Sequence, residues 1–424
     1  MESLPQAIVI QAGNRDNYQL PLALHEAGLL GMLLTDMYWA GDKWWFRQTL
    51  GKLLPQTMLS ARYCKEIGSS AVNISKKALC ADVLNHLLGT GKYNRLRDAA
   101  LGRSALRRIR EDETVAVFSY SYYASKVFAG GAATLPYRFL FQFHPHPYSV
   151  RQMFIEEAQL VPYAKASLMM EHEYSLPDAE FEDLAHEPKL ANGWVTTSSY
   201  TARTLYENGV PHHCVHVVPY GVDSTSYPKR MEPPLQDKPL TVIFVGTLSQ
   251  RKGLSYLLDA VRYLNSQNIR VLLCGRGRVD EHLLEQYKDL SLEIKTNLSH
   301  AQLIQELYKS DVFVLPSLVE GFAHVILEAM SCGLPIIATT NTCAPDVVDD
   351  GAQGFIIPIR DAQAIADRLS WCIEHRAELG SMGDAAAERA RQFTWERFRK
   401  GVREAYRQMV DSSAQSDSQK SSAA

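Results

Sequence analysis

From Thr241 onward the chain repeats one unit, a short apolar run followed by a turn and an amphipathic helical stretch. The reading is strand Thr241 to Val245, helix Leu254 to Asn265, strand Arg270 to Cys274, helix Asp280 to Lys288, strand Leu292 to Lys295, helix His300 to Lys309, and a strand from Asp311 that Pro316 stops. The strand segments are apolar throughout rather than alternating, as strands buried on both faces must be. Such a series builds a parallel sheet wrapped by helices, which excludes all-β and bundle folds. Ligands of an open parallel sheet bind beyond the carboxyl ends of its strands. The turns that follow the strands are therefore where function is sought.

The first half starts the same way. Residues 6 to 12 form a strand ending at Gly13, Gln19 to Glu26 a helix and Met32 to Thr35 a second strand. From Tyr38 to Arg110 no strand is expected; helical patterns alternate with Lys/Arg clusters. Strands resume at Val115 to Phe118, Arg138 to Phe143 and Trp194 to Thr197, and His216 to Pro219 closes this half. The expected organisation is a domain over 1–223 carrying a basic helical region at 38–110, a proline-rich linker over 224–240, a second α/β domain over 241–393, a closing helix over 394–410, and a tail over 411–424 too poor in apolar residues to fold. A length of 424 residues with 46% hydrophobic composition supports two such cores.

The net charge of −3 gives no global reason to expect nucleic acid. No apolar stretch reaches membrane-spanning length, and Met1-Glu2-Ser3-Leu4-Pro5 lacks the basic start and apolar centre of a signal peptide, so a cytoplasmic location is expected. The seven cysteines contain no CxxC pair and read as reduced structural thiols. Between residues 43 and 110, fourteen Lys and Arg residues face only Glu66, Asp82 and Asp98, with Trp44, Trp45 and Phe46 at the head of the region. Two readings stay open there: a peripheral contact with the inner, anionic face of a membrane, each near-surface cation contributing roughly 1 kcal/mol, or a solvated face over an acceptor pocket.

Glu320 and Glu328 stand in Val319-Glu320-Gly321-Phe322-Ala323-His324-Val325-Ile326-Leu327-Glu328-Ala329-Met330, across a loop-to-helix junction. The helix is expected to begin near Phe322 or Ala323 and to stop at Gly333-Leu334-Pro335. Its free N–H groups can hold a diphosphate or a sugar hydroxyl, and at ~1.5 Å per residue a ligand of roughly 10 Å spans both carboxylates. By themselves the two glutamates read equally well as a cap and a solvated face. Upstream, Gly246 to Gly253 follows the first strand of the second half and carries Arg251, a planar fork, and Lys252, a point charge suited to a diphosphate. Gly275-Arg276-Gly277 follows the next strand and permits close approach of a nucleotide, but no acidic residue follows at the spacing nicotinamide binding needs, and there is no phosphate-binding Gly-Lys-Ser/Thr loop. In Phe143-His144-Pro145-His146-Pro147 two histidines end a strand at the cleft; without a Cys or carboxylate cluster beside them no metal is expected. Gly13 turns the chain at the same rim as an acceptor or phosphate loop. Glu171-His172-Glu173 is polar, and no chemistry is assigned to it.

The phrase from Glu320 to Ala329 resembles the retaining glycosyltransferases of family 4, with Ala323 in place of the customary glycine. The resemblance extends over Cys332 to Thr339, Asp350 to Phe355, Val245 to Gly253 and Pro219 to Asp223, roughly residues 190 to 410. It implies a GT-B fold, two Rossmann-like domains whose parallel sheets face a central cleft. It also implies a nucleotide-sugar donor on the second domain and a hydroxyl-bearing glycan, lipid-linked or small-molecule acceptor on the first, with no cofactor beyond the donor. On this resemblance Glu320 and the Gly321-Phe322-Ala323 backbone hold the transferred sugar, and Glu328 accepts from the ribose. Lys252 meets the donor phosphates, with Arg251 standing in for the arginine that many relatives carry where this chain has Thr247. Gly246 and Gly275 line the donor site, and His144, with His146 in reserve, acts near the sugar. Trp395, Phe398 and Tyr406 are expected to anchor a terminal helix crossing back to the first domain. The competing readings are an epimerase or phosphorylase on the same architecture and a sugar-nucleotide sensor or inactive subunit.

Overall fold

The computed structural model describes residues 4–39, 59, 61–69, 71–88, 93–109, 116–131, 135–230, 238–266, 268–275 and 280–423. Trp44, Trp45 and Phe46, several of the basic residues between 43 and 110, Arg276-Gly277 and Pro233-Pro234 of the linker lie outside these residues.

Two parallel sheets form the molecule. The first has strands β1 (Ala7–Ile10), β2 (Leu30–Thr35), β3 (Val72–Ile74), β4 (Ala116–Tyr120), β5 (Arg138–Gln142), β6 (Gly193–Thr196) and β7 (Val215–Val217), in the order β3-β2-β1-β4-β5-β6-β7. The second has β8 (Leu240–Gly246), β9 (Ile269–Gly275), β10 (Leu292–Thr296), β11 (Val312–Leu315), β12 (Ile336–Thr339) and β13 (Gly354–Ile357), in the order β10-β9-β8-β11-β12-β13. The all-apolar runs are the reason: β1, β4, β11 and β12 are buried along their whole length, which only a doubly covered parallel sheet allows. The order reverses between β1 and β4 and between β8 and β11, so each sheet opens a crevice there.

Three expectations need correction. A strand, β3, does occur between Tyr38 and Arg110; it pairs with β2 at the sheet edge, and its three half-buried residues are too few to show any periodicity. The helix carrying Glu328 spans His324–Ser331, starting one to two residues later than expected because Ala323 takes a left-handed conformation, φ +68°. Finally, the closing helix runs from Trp395 through Ala423, and Ser413 is buried in it, so the expected tail is helical. Extending an anchored helix adds a hydrogen bond per residue without a new nucleus, and composition alone does not reveal that.

This helix lies on the first sheet. Tyr406 stacks on Phe118 and meets Phe139 edge-on, and its hydroxyl donates to the Pro5 carbonyl at 2.8 Å. Arg399 and Arg403 both reach Glu26, at 2.9 and 2.7 Å. The chain therefore crosses between the sheets twice, and the crossings touch: Val222 N donates to Phe393 O at 2.9 Å, and a Cβ at Gly221 would collide with the Thr394–Trp395 backbone. Tyr406→Phe keeps the packing and strands a half-buried carbonyl; a loss of about 1 kcal/mol is expected in urea unfolding.

Candidate functional site

Glu320 leaves β11 in a loop and is 7% exposed. Its Oε1 lies 2.5 Å from Lys252 Nζ and 2.9 Å from Arg251 Nη1. Burial pushes this carboxyl up, but the two cations outweigh it and hold it at about 2. Lys252 is drawn below its ordinary value by burial, against the pull of Glu320. The loop after β8 can carry both cations because Gly253 adopts φ +69° and packs against the Pro316 carbonyl where a Cβ would not fit. Leu318 N donates to Arg251 O at 2.9 Å, which ties the loops of the neighbouring strands together.

Arg251 also reaches across to the other domain. Its Nε is 3.0 Å from Glu171 Oε1, so one guanidinium joins the first sheet's domain to Glu320 on the second. Glu173, two residues on, lies 3.4 Å from His144 Nδ1 and accepts a hydrogen bond from the Tyr122 hydroxyl. The Glu171-His172-Glu173 segment, assigned no chemistry from its residues alone, thus belongs to the site; only the fold brings it there. His144 is half-buried, and the loss of surrounding water holds its imidazole below the usual value. His146 goes elsewhere. It is fully buried, its Nδ1 accepts from Tyr148 N at 3.3 Å as the cap of helix Pro147–Leu160, and burial lowers it to about 4.

The Gly321-Phe322-Ala323 backbone is the tightest contact between the domains. A Cβ on Gly321 would strike the Phe143 carbonyl, and Gly321 O accepts from Ser198 Oγ at 2.6 Å and Thr201 Oγ1 at 3.2 Å. Phe322 meets Tyr220 edge-on at 5.4 Å. Elsewhere across the interface Glu157, fully buried, accepts from Gln250 Nε2 at 2.6 Å, Tyr256 Oη at 2.9 Å and Arg360 Nε at 2.8 Å. Three donors on one carboxylate satisfy it without water.

Glu328 does not join the Glu320 cluster. Burial raises its carboxyl, and Tyr227 hydrogen-bonds to it. The two glutamates have separate immediate partners, so a ligand touching both would do so at different ends. Gly246 and Gly275 end adjacent strands in register, and the Lys252 stem passes over Gly246. Gly13, φ +76°, donates to Asp36 Oδ1 at 3.0 Å. Beside it the sequence missed Arg15, whose guanidinium lies 4.5 Å over the Phe143 ring and donates to Tyr123 Oη at 3.1 Å, and Asp16, raised by burial to about 8 although the Tyr120 hydroxyl donates to it at 2.6 Å. Among the described residues no group of three or more His, Cys, Asp or Glu side chains is arranged to hold a metal ion, and no helix is long and apolar enough to cross a membrane.

Residues 228–392 match the family model described as glycosyl transferases group 1. WcaL of Salmonella typhimurium, a protein named as a colanic acid biosynthesis glycosyltransferase, is 32% identical over 186 residues, 41% of this chain and 45% of that one. The phosphatidyl-myo-inositol mannosyltransferase of Mycolicibacterium smegmatis is 31% identical over 188 residues, 42% of this chain and 48% of that one. The chain thus spans about half the length of these curated relatives. Over nearly its full length it superposes on the Anabaena protein HepE, crystallised with UDP, with a TM-score of 0.60 at 14% identity, covering 95% of this chain and 99% of that one. The fold is GT-B.

Two measurements test the local physics. Ala323→Gly removes a left-handed alanine and is expected to stabilise by about 1 kcal/mol in urea unfolding. His146 is expected to stay neutral down to about pH 4, seen by NMR of its ring. The unfolded chain takes that proton near 6.5, so the stabilisation is complete above pH 6.5 and lost as pH falls toward 4. Relative to a His146→Asn variant, wild type should therefore lose about 2 kcal/mol between pH 7 and 5.

Proposed function

We propose that this chain is a retaining glycosyltransferase of family 4 that moves a sugar from a nucleotide-sugar donor, held by the second domain, to a hydroxyl on an acceptor held by the first. The observation that carries the reading is Glu320, an ionised carboxylate between Lys252 and Arg251 at the start of a helix and facing His144 across the cleft. Support comes from the family-model match over this region and from the names of the partial relatives.

At about 2, Glu320 has no proton to give at neutral pH, so it serves as an acceptor for sugar hydroxyls rather than as an acid. Lys252, whose one acidic partner among the described residues is Glu320, is the charge a donor diphosphate takes over. His144, kept neutral, can share a hydrogen bond with a sugar hydroxyl while Glu173 orients its ring. Glu328 is assigned to the ribose end of the donor. In the step itself the bond from the anomeric carbon to the diphosphate oxygen breaks as the acceptor oxygen attacks from the same face. The acceptor's proton passes to the departing diphosphate, whose growing charge Lys252 and Arg251 stabilise. Closure of the domains keeps water from the donor. Ala323 does not argue for an inactive subunit, because it adopts the left-handed backbone that a glycine takes freely.

Glu320→Ala is expected to abolish transfer of isotope-labelled sugar with the thermal transition retained, and Lys252→Ala to lower kcat by about 10²–10³. In a panel of UDP-, GDP- and ADP-sugars, one donor at 100 times its Kd should stabilise the chain by about 2.7 kcal/mol. No shift with any of them, together with undiminished turnover in Glu320→Ala, would overturn the assignment.

A further inference from the structure

Away from the donor site, at the carboxyl end of the edge strand β3, lies a cavity of about 480 Å³ lined in part by Ser75, Lys76, Lys77, Ser104, Arg107 and Arg108. Among the described residues that line it, four are cations and none is acidic. Lys76, Lys77, Arg107 and Arg108 are all exposed. Like charges gathered round one concavity repel one another, an arrangement that an anion relieves. The walls suit a phosphate in particular. Lys76 and Lys77 supply point charges, and the Arg107 fork supplies paired donors for its oxygens. Ser75 and Ser104 hydroxyls lie 3.0 Å apart at the back, and Arg107 Nη2 reaches Ser104 Oγ at 3.5 Å. The cavity also opens at the start of helix Lys76–Leu87, where the Ser75 side chain makes no capping bond, so the positive end of the helix adds to the field. Its volume falls in the range of small-molecule sites, larger than one phosphate group alone needs.

Its place in the sheet gives the ligand a direction. β3 is two strands from β1, about 10 Å at ordinary strand spacing, and the loop after β1 carries Arg15 over Phe143, next to His144. Thr35 and Asp36 at the end of β2 bridge the interval, Thr35 O accepting from Ser75 N and Asp36 from Gly13 N, both at 3.0 Å. We propose that this cavity binds the phosphate-bearing end of the acceptor, so that the acceptor is an anionic phosphate or diphosphate ester lying along the rim of the first sheet with its hydroxyl at the cleft. The acceptor role rests on the glycosyl-transfer reading above; the phosphate site does not.

The test uses the full chain without donor, with n-octyl phosphate and inorganic pyrophosphate as probes in calorimetry at two salt concentrations. Saturable binding that weakens as salt rises is expected, and the double variant Lys76→Gln/Lys77→Gln should weaken it at least tenfold, as should Arg107→Gln made separately, with the nucleotide-sugar thermal shift unchanged. No binding to wild type, or equal binding by the variants, overturns the site. Capture by phosphatidylglycerol vesicles without binding of either soluble probe also overturns it, making the patch a membrane-docking face instead. Phosphate binding in a chain that responds to no nucleotide sugar would keep the site and remove its acceptor role.

Discussion

Taking the Glu320 carboxylate out of water is costly, and the arrangement survives only because Lys252 and Arg251 are buried with it. That requirement fixes two loops at once, the one leaving β8 and the one leaving β11, and it explains why the first ends in a left-handed glycine under Pro316. It also links chemistry to domain closure, because the same Arg251 that neutralises Glu320 meets Glu171 of the other domain. The rest of the interface repeats the principle of satisfying every buried charge, with Glu157 held by three donors from the second domain.

Legibility in the sequence follows burial. Strands such as Val312–Leu315 are apolar on both faces and stand out, and helix Gln19–Glu26 was read to its observed limits. Val72–Ile74 was missed because a three-residue edge strand carries no pattern, and the helical tail because Ser, Ala and Gln follow whatever structure precedes them. Glu320, Arg251 and Lys252 were legible because local spacing places them on strand-end turns. Glu171, Glu173 and Arg15 were not, since each enters the site through a partner far off in sequence. His144 and His146 part company within two residues: one ring faces Glu173, the other caps a helix.

Charge is divided unequally between the Glu320 cluster and the edge of the first sheet. Near Glu320, acids and bases are matched in short ion pairs, so an incoming ligand must exchange partners. At the β3 edge Lys76, Lys77 and Arg107 meet no acid among the described residues that line their cavity, so a ligand there would add a pairing rather than replace one. An exchange site favours discrimination, and a site of one charge sign favours fast capture.

The paired crossings between the sheets, Gly221-Val222 against Phe393 to Trp395, are bonded to each other. They act like the two leaves of a door joint: twisting one half about the cleft's long axis would shear them apart, whereas swinging it merely bends both together. The two crossings and the close Gly321–Phe143 contact therefore set one alignment of the halves, which no single loop has to hold alone.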